Sequence, residues 1–432
     1  MDEDNKLPTI IDCTASYLLS GDDDRQVSQG DSDLLLDAEK LTVLPTSGEP
    51  LLIPYRDIIQ LSRSGYKINA NLVSKEKLTI FNLGFKYEDF FRSFSNLNNE
   101  VILKDLLMNE TIHKSGVAAD LGYIDADKSE KPFGQCELRI YETGAVIISS
   151  DGNFIRIPYN DLARIHVDNY KLILDTDYND SYVFSKMGKE LDMCFKMLND
   201  LIKALSIKTQ LSLQELLPVY DSSVIRKIAK LMKDCRAARH MDIDAIAPGI
   251  WTELEKKLDT LGVKEEYDYL ASLGKPERIC IGMKRGLMGD LTGVYIWFLV
   301  PIFGVDNTQP GNAIAMEATA VEGSGKATYF FKITDPSIYK NFKNQEELQA
   351  VVDKSLKQIN RDLITVNFRR EPIYLTDEQL NSTTYVAYRR AVSKVPALQE
   401  LRRLFIGRVI HNSPEQWKEA VTQLLKFNVN SV

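Results

Sequence analysis

"IPYRDI" runs from Ile53 to Ile58, and "IPYNDL" runs from Ile157 to Leu162, 104 residues further on. Sliding the chain against itself by that offset extends the match in both directions. Asp33–Phe94 aligns with Glu137–Leu198 without a gap. "DLLLDAEKLTVLPTSGEPLLIPYRDI" falls on "ELRIYETGAVIISSDGNFIRIPYNDL". Gly48 meets Gly152, Tyr66-Lys67 meets Tyr170-Lys171, Gly84 meets Gly188 and Phe91 meets Phe195. Identity is modest, but the apolar pattern and the spacing are shared, which marks a duplication at domain scale.

Each copy predicts the same elements. Short alternating apolar segments ("KLTVLP", "PLLIPY", "YKINANL", "KLTIFNL" in the first copy) are separated by Gly, Asn, Asp and Ser, the pattern of an antiparallel sheet. Each copy then turns helical. Tyr87, Phe90, Phe91 and Phe94 stand at i, i+3, i+4 and i+7, and Leu191, Cys194, Phe195 and Leu198 match them in the second copy. That spacing lays one apolar stripe along a helix. Within the motif itself, proline suits a bend because its φ is fixed and it donates no N–H. Asp57 and Asp161 are expected to hold the corner by accepting backbone N–H bonds, with the isoleucine and tyrosine as anchors.

A meander closed by one C-terminal helix, carrying "IPYRDI" and "IPYNDL" after a strand-turn-strand, resembles the pleckstrin-homology-like (PH-like) fold, and more narrowly its GRAM and bacterial PH types. The resemblance covers about 33–108 and 137–205. It implies a bent sheet plugged at one end by the helix. It implies no phosphoinositide site, because "PTSGEP" and "SSDGNF" are acidic and lack the lysine–arginine pattern of ligand-binding members.

The expected fold class is α+β. Residues 1–108 form PH-like unit 1 with an N-terminal extension, 109–136 a polar connector, and 137–207 PH-like unit 2. A helical segment follows over 208–275, and a C-terminal α+β region over 276–432, in which 276–364 is either a third PH-like unit or an unrelated arrangement. The stretch "SGDDDRQVSQGDSD", 20–33, reads as an exposed acidic loop. It lacks the pattern of a calcium loop. "SLQE" reads as a capping box with Ser212 as N-cap, and "TDEQL" and "SPEQW" as helix starts at Thr376 and Ser413. "GVYIWFLVPIFGV", Gly293–Val305, is shorter than the roughly 20 residues a bilayer-spanning helix needs and reads as a buried strand. "EGSGKAT" and "KRGLMGDLTG" read as Gly-rich turns. The first fails as a phosphate-binding loop because Ala327 stands where a magnesium-holding hydroxyl belongs.

The 432 residues carry 61 acidic and 53 basic side chains, a net charge of −8. That balance argues against a nucleic-acid partner over the whole surface. The five cysteines are scattered and form no CxxC pair, so neither a disulfide framework nor a zinc ribbon is expected. The opening "MDEDNKLPTI" is acidic where a secretory leader is basic and then apolar. The cytoplasm is the expected location. His113, His166, His240 and His411 are isolated in sequence and fit no metal or triad spacing. No catalytic residue, metal or cofactor is expected.

The sharpest local signal is basic. In "SSVIRKIAKLMKDCRAARH", Val224, Ile225, Ile228, Leu231, Met232 and Cys235 make an apolar stripe. Arg226, Lys227, Lys230, Lys233, Arg236 and Arg239 crowd the remainder. A second basic region holds Arg389, Arg390, Arg402 and Arg403. The expected function is a non-enzymatic adaptor or scaffold that binds protein partners of unknown identity through tandem modules, a second copy of the chain among them. The alternative is attachment to an anionic membrane surface or polyanion through 226–239 and 389–408. A histone-chaperone-like acidic binder is a third reading.

Overall fold

The computed structural model describes residues 11–23, 25–107, 110–150, 153–285, 294–305, 311–320, 327–382 and 384–430. The chain divides into two compact units, Met1–Met108 with Leu375–Lys394, and Asn109–Tyr374 with Val395–Val432.

The first unit opens with strands β1 (Ile11–Ser20), β2 (Gln26–Leu36), β3 (Lys40–Pro45) and β4 (Leu51–Pro54). After a one-turn 3-10 helix at Tyr55–Asp57 come β5 (Ile58–Ser64), β6 (Lys67–Leu72) and β7 (Lys77–Phe81), then helix α1 (Tyr87–Leu107). The seven strands are antiparallel in the order β4-β3-β2-β1-β7-β6-β5. β1 pairs with β2 through Tyr17↔Gly30 and with β7 through Tyr17↔Ile80, so the last strand returns to the first. Alternation makes the core. Leu34, Leu36, Leu41, Val43, Ile68, Leu78 and Ile80 are buried on one face, where Phe90 and Phe94 of α1 cover them. Each such aromatic contributes about 1.5–3 kcal/mol by leaving water. The unit is completed from far downstream by the helix Val386–Lys394, which packs on α1, β5 and the 55–57 turn.

The second unit repeats the plan with β8 (Ile112–Ile124), β9 (Glu130–Tyr141), β10 (Gly144–Ser149), β11 (Phe154–Pro158), β12 (Leu162–Asp168), β13 (Lys171–Thr176), β14 (Ser181–Ser185) and α2 (Glu190–Leu216). Its strand order is β11-β10-β9-β8-β14-β13-β12, the same as in the first sheet. Two seven-stranded antiparallel sheets of one strand order, each followed by a helix, make the α+β architecture that the duplication predicts, and they are compatible with the PH-like resemblance.

Several local expectations give way. The stretch 109–136 is no connector, since it holds β8 and the first half of β9. Val117, Ala119 and Leu121 alternate inward, with Ala118 exposed and Asp120 half-buried between them. The acidic 20–33 stretch is largely β2, with only a short turn after Ser20. Ser212 caps nothing, because α2 runs through it to Leu216; the next helix, α3 (Ser222–Leu231), is capped by Asp221, whose carboxylate accepts from the N–H groups of Ser223 and Val224. Thr376 does form a capping box with Gln379, and Ser413 Oγ accepts from the Gln416 N–H at 3.3 Å.

Beyond α3 lie α4 (Ile250–Thr260) and α5 (Lys264–Leu273), then a six-stranded antiparallel sheet built from β15 (Ala238–Arg239), β16 (Cys280–Arg285), β17 (Val294–Ile302), β18 (Ala313–Ala320), β19 (Ala327–Lys332) and β20 (Phe405–Ile410). Helices α6 (Gln345–Thr365) and α7 (Pro396–Leu404) lie between β19 and β20 in the chain, and α8 (Pro414–Asn430) follows. This is not a third PH-like unit. Its strands run in simple sequence order with no return of the last to the first, and its long helix precedes the final strand. The apolar window is the buried central strand β17, with Phe298, Leu299, Val300 and Ile302 fully inside. The two Gly-rich turns fall on 286–293 and 321–326, outside the described residues. Among the described residues no helix is long and apolar enough to cross a membrane.

Candidate functional site

The repeated motif forms the same corner twice. Proline ends a strand, a 3-10 turn follows, and the tyrosine drops into the core. Tyr55 Oη donates to the Asp37 carbonyl at 2.8 Å, and Tyr159 Oη donates to the Tyr141 carbonyl at 2.9 Å. The expected side-chain role for the aspartate is replaced by a backbone one. The carbonyl oxygens of Asp57 and Asp161 accept from the N–H groups of Val73 at 2.9 Å and Asp177 at 2.8 Å.

That leaves the carboxylates for other work, and here the copies diverge. Asp161 is fully buried. Arg361, from α6, donates from Nε to Asp161 at 2.8 Å and from a terminal nitrogen to Asp180 at 3.1 Å. Its guanidinium also lies 4.5 Å from the centre of the Tyr178 ring. Tyr123 Oη donates to Asp180 at 2.8 Å. Burial pushes the Asp161 carboxyl up to about 6 even against Arg361 and Arg236, and its second oxygen has no hydrogen-bond partner. Burial opposes charge on Arg361 too, but Asp161 and Asp180 outweigh it and hold the guanidinium ionised.

Beside this corner, the predicted basic run lines two adjoining hollows. The first, of about 220 Å3, lies between α2, α3 and the 159–162 corner. Leu162, Leu205 and Ala229 are its buried apolar walls, with Ile202 partly buried. Arg226 and Lys230 stand exposed on its rim and form no ion pair among the described residues. The second, of about 400 Å3, shares Lys230 and Lys233 and continues past Arg236 and Arg239 to α6.

The helix expected to carry all six cations stops at Leu231. Asp234 takes φ 25°, and Ala238–Arg239 joins the third sheet. Tertiary contacts explain the break. Lys233 Nζ donates to the Leu162 carbonyl at 3.0 Å and to Asp177 at 2.7 Å, and Arg236 pairs with the same carboxylate. Asn160 Nδ2 donates to the Asp234 carbonyl at 2.9 Å, and Asn360 Nδ2 to the Ala237 carbonyl at 3.1 Å. Arg239 pairs with Asp242 at 2.8 Å. The expected cationic surface is therefore confined to Arg226, Lys227 and Lys230. The second basic region is divided between the two units. Arg389 and Arg390 belong to the helix that completes the first unit, and the Arg390 side chain lies outside the described residues. Arg402 donates to the Pro372 carbonyl at 2.7 Å, and Arg403 is paired with Glu400 at 2.6 Å.

One cluster escaped sequence reasoning. His411 Nε2 lies 3.1 Å from Thr328 Oγ1 and Nδ1 lies 3.2 Å from Glu266, the order of a nucleophile–base–acid relay. The hydroxyl in the first place is already engaged. Thr328 is fully buried and donates to Glu317 at 2.9 Å. Its lone pairs take the Trp417 Nε1–H at 3.2 Å and the His411 N–H. Burial opposes protonation of the imidazole, yet Glu266 and Glu317 raise it to about 9. A charged ring cannot serve as a base. Burial likewise pushes the Cys136 and Cys194 thiols up to about 11, away from the reactive thiolate. Among the described residues no group of three or more His, Cys, Asp or Glu is placed to hold a metal ion.

No family model matches the chain, and no curated protein matches it. Solved structures resemble parts of it. The C-terminal domain of an unknown protein from Leishmania infantum is 17% identical over 26% of this chain and 95% of that one, with a TM-score of 0.18. The Spt16D–Pob3N heterodimer is 14% identical over 39% of this chain and 85% of that one, with a TM-score of 0.16. The PH-like assignment therefore rests on the strand order and closing helix of the chain's own two sheets.

Proposed function

We propose that the chain is a non-enzymatic adaptor that binds protein partners through its PH-like modules. One observation carries this reading. In both units the motif corner and the closing helix form a seat that another helical segment of the chain fills, one from far downstream in the first unit and the next helix in the second. The helix Val386–Lys394 sits on α1 and the 55–57 turn; α3 and the 233–235 turn sit on α2 and the 159–161 turn. A module that holds helices by apolar burial is suited to holding a partner's. The test is photo-crosslinking of the full chain in its native host from position 206, an exposed site beside the first hollow. A reproducible protein adduct supports the reading. A monomeric chain with no adduct overturns it.

Attachment to an anionic surface is favoured by a narrower observation, the three exposed cations Arg226, Lys227 and Lys230 on α3. Sedimentation with phosphatidylserine vesicles tests it. Binding that falls with salt supports attachment, and equal sedimentation with neutral vesicles removes it.

A further inference from the structure

We infer that the hollow between α2 and α3 seats one large apolar side chain of an acidic partner segment. This rests on the adaptor reading and names the chemistry of its partner. The hollow's volume of about 220 Å3 falls below the roughly 300–1,000 Å3 usual for small-molecule sites. It suits a single anchor residue better than a free metabolite. The anchor would meet Leu162, Leu205 and Ala229, which are already dry.

Charge supplies the rest of the specificity. Arg226 and Lys230 flank the mouth. Asp221, at the head of the same helix, is engaged in capping it. The deeper cation Lys233 is already neutralised by Asp177. The rim therefore presents positive charge to an incoming chain while the floor is apolar. That combination selects carboxylates on either side of an aromatic or long aliphatic residue, and it disfavours a basic segment of the same shape.

The experiment is fluorescence anisotropy of the full chain with three labelled peptides: Glu-Glu-Phe-Glu-Glu, Glu-Glu-Ala-Glu-Glu and Lys-Lys-Phe-Lys-Lys. The first is expected to bind at least tenfold more tightly than either of the others. The exposed substitutions Arg226→Glu and Lys230→Glu are expected to weaken it at least tenfold together, and Ser206→Trp to block the mouth. Equal binding of all three peptides overturns the inference, as does binding that Ser206→Trp leaves intact. Binding of phosphatidylserine vesicles through Arg226 and Lys230 with no peptide binding also overturns it, in favour of a lipid surface. The adaptor reading fails separately. If no peptide binds but position 206 still crosslinks to a protein, the acidic chemistry falls and the adaptor stands. If neither occurs, both fall.

Discussion

The Nε of Arg361 lies 2.8 Å from the carboxylate of Asp161, although 200 residues separate them in sequence. This contact ties α6 to the corner of the second sheet, and its removal strands two buried carboxylates, Asp161 and Asp180. Arg361→Ala is expected to destabilise the second unit by about 3–5 kcal/mol, read by urea denaturation. Arg361→Met combined with Asp161→Asn is expected to recover part of the loss. Asp57 meets no cation among the described residues, so Asp57→Asn is expected to stay within about 1 kcal/mol.

The two motif tyrosines give a finer comparison. Tyr159→Phe leaves the Tyr141 carbonyl in a fully buried setting, whereas the bond from Tyr55 to Asp37 is only partly buried. The first loss is expected to cost about 1–3 kcal/mol, and Tyr55→Phe less. Separate unfolding transitions of the two units, followed by hydrogen exchange at β11 and β4, distinguish them.

His411 predicts a pH dependence with a definite sign. Its folded-state value, about 9, exceeds its ordinary value of 6.5. The folded protein therefore binds this proton more tightly than the unfolded chain does. The stabilisation is complete below pH 6.5 and is lost as pH rises through 9. Thermal midpoints are expected to fall across that window in the native protein, and the slope is expected to flatten in His411→Asn.

Gly84 and Gly188 occupy the same position in the two copies, and both have φ +56° with open space where a Cβ would stand. The backbone alone requires glycine there. Alanine at either position is expected to cost roughly 1–2 kcal/mol, and asparagine less, because its side chain tolerates the left-handed region. Chemical denaturation of the four variants checks both halves of this expectation.

The duplication was legible because burial imposes the same period wherever a strand or helix meets a core. Phe90 and Phe94 announce the helix, and Leu191, Cys194 and Leu198 repeat it. β8 was obscured because its inward residues, Val117, Ala119, Leu121 and Tyr123, begin only midway along a strand of 13 residues. The basic run was visible as composition, but not which cations would remain free. That depends on Asp177, which only the fold brings to Lys233 and Arg236. His411 looked isolated for the same reason: Glu266, Glu317 and Thr328 reach it from different elements.

The first unit closes with a helix that the chain reaches only at Val386–Lys394, after most of the second unit. During synthesis, β1–β7 and α1 therefore leave the ribosome long before their final covering segment exists. The face of α1 and the 55–57 turn must wait uncovered while the second sheet is made. Completion of the first module thus waits until the chain has been made past Lys394. A ribosome stalled after α1 has emerged and before residue 386 is made would present that module with its seat still empty.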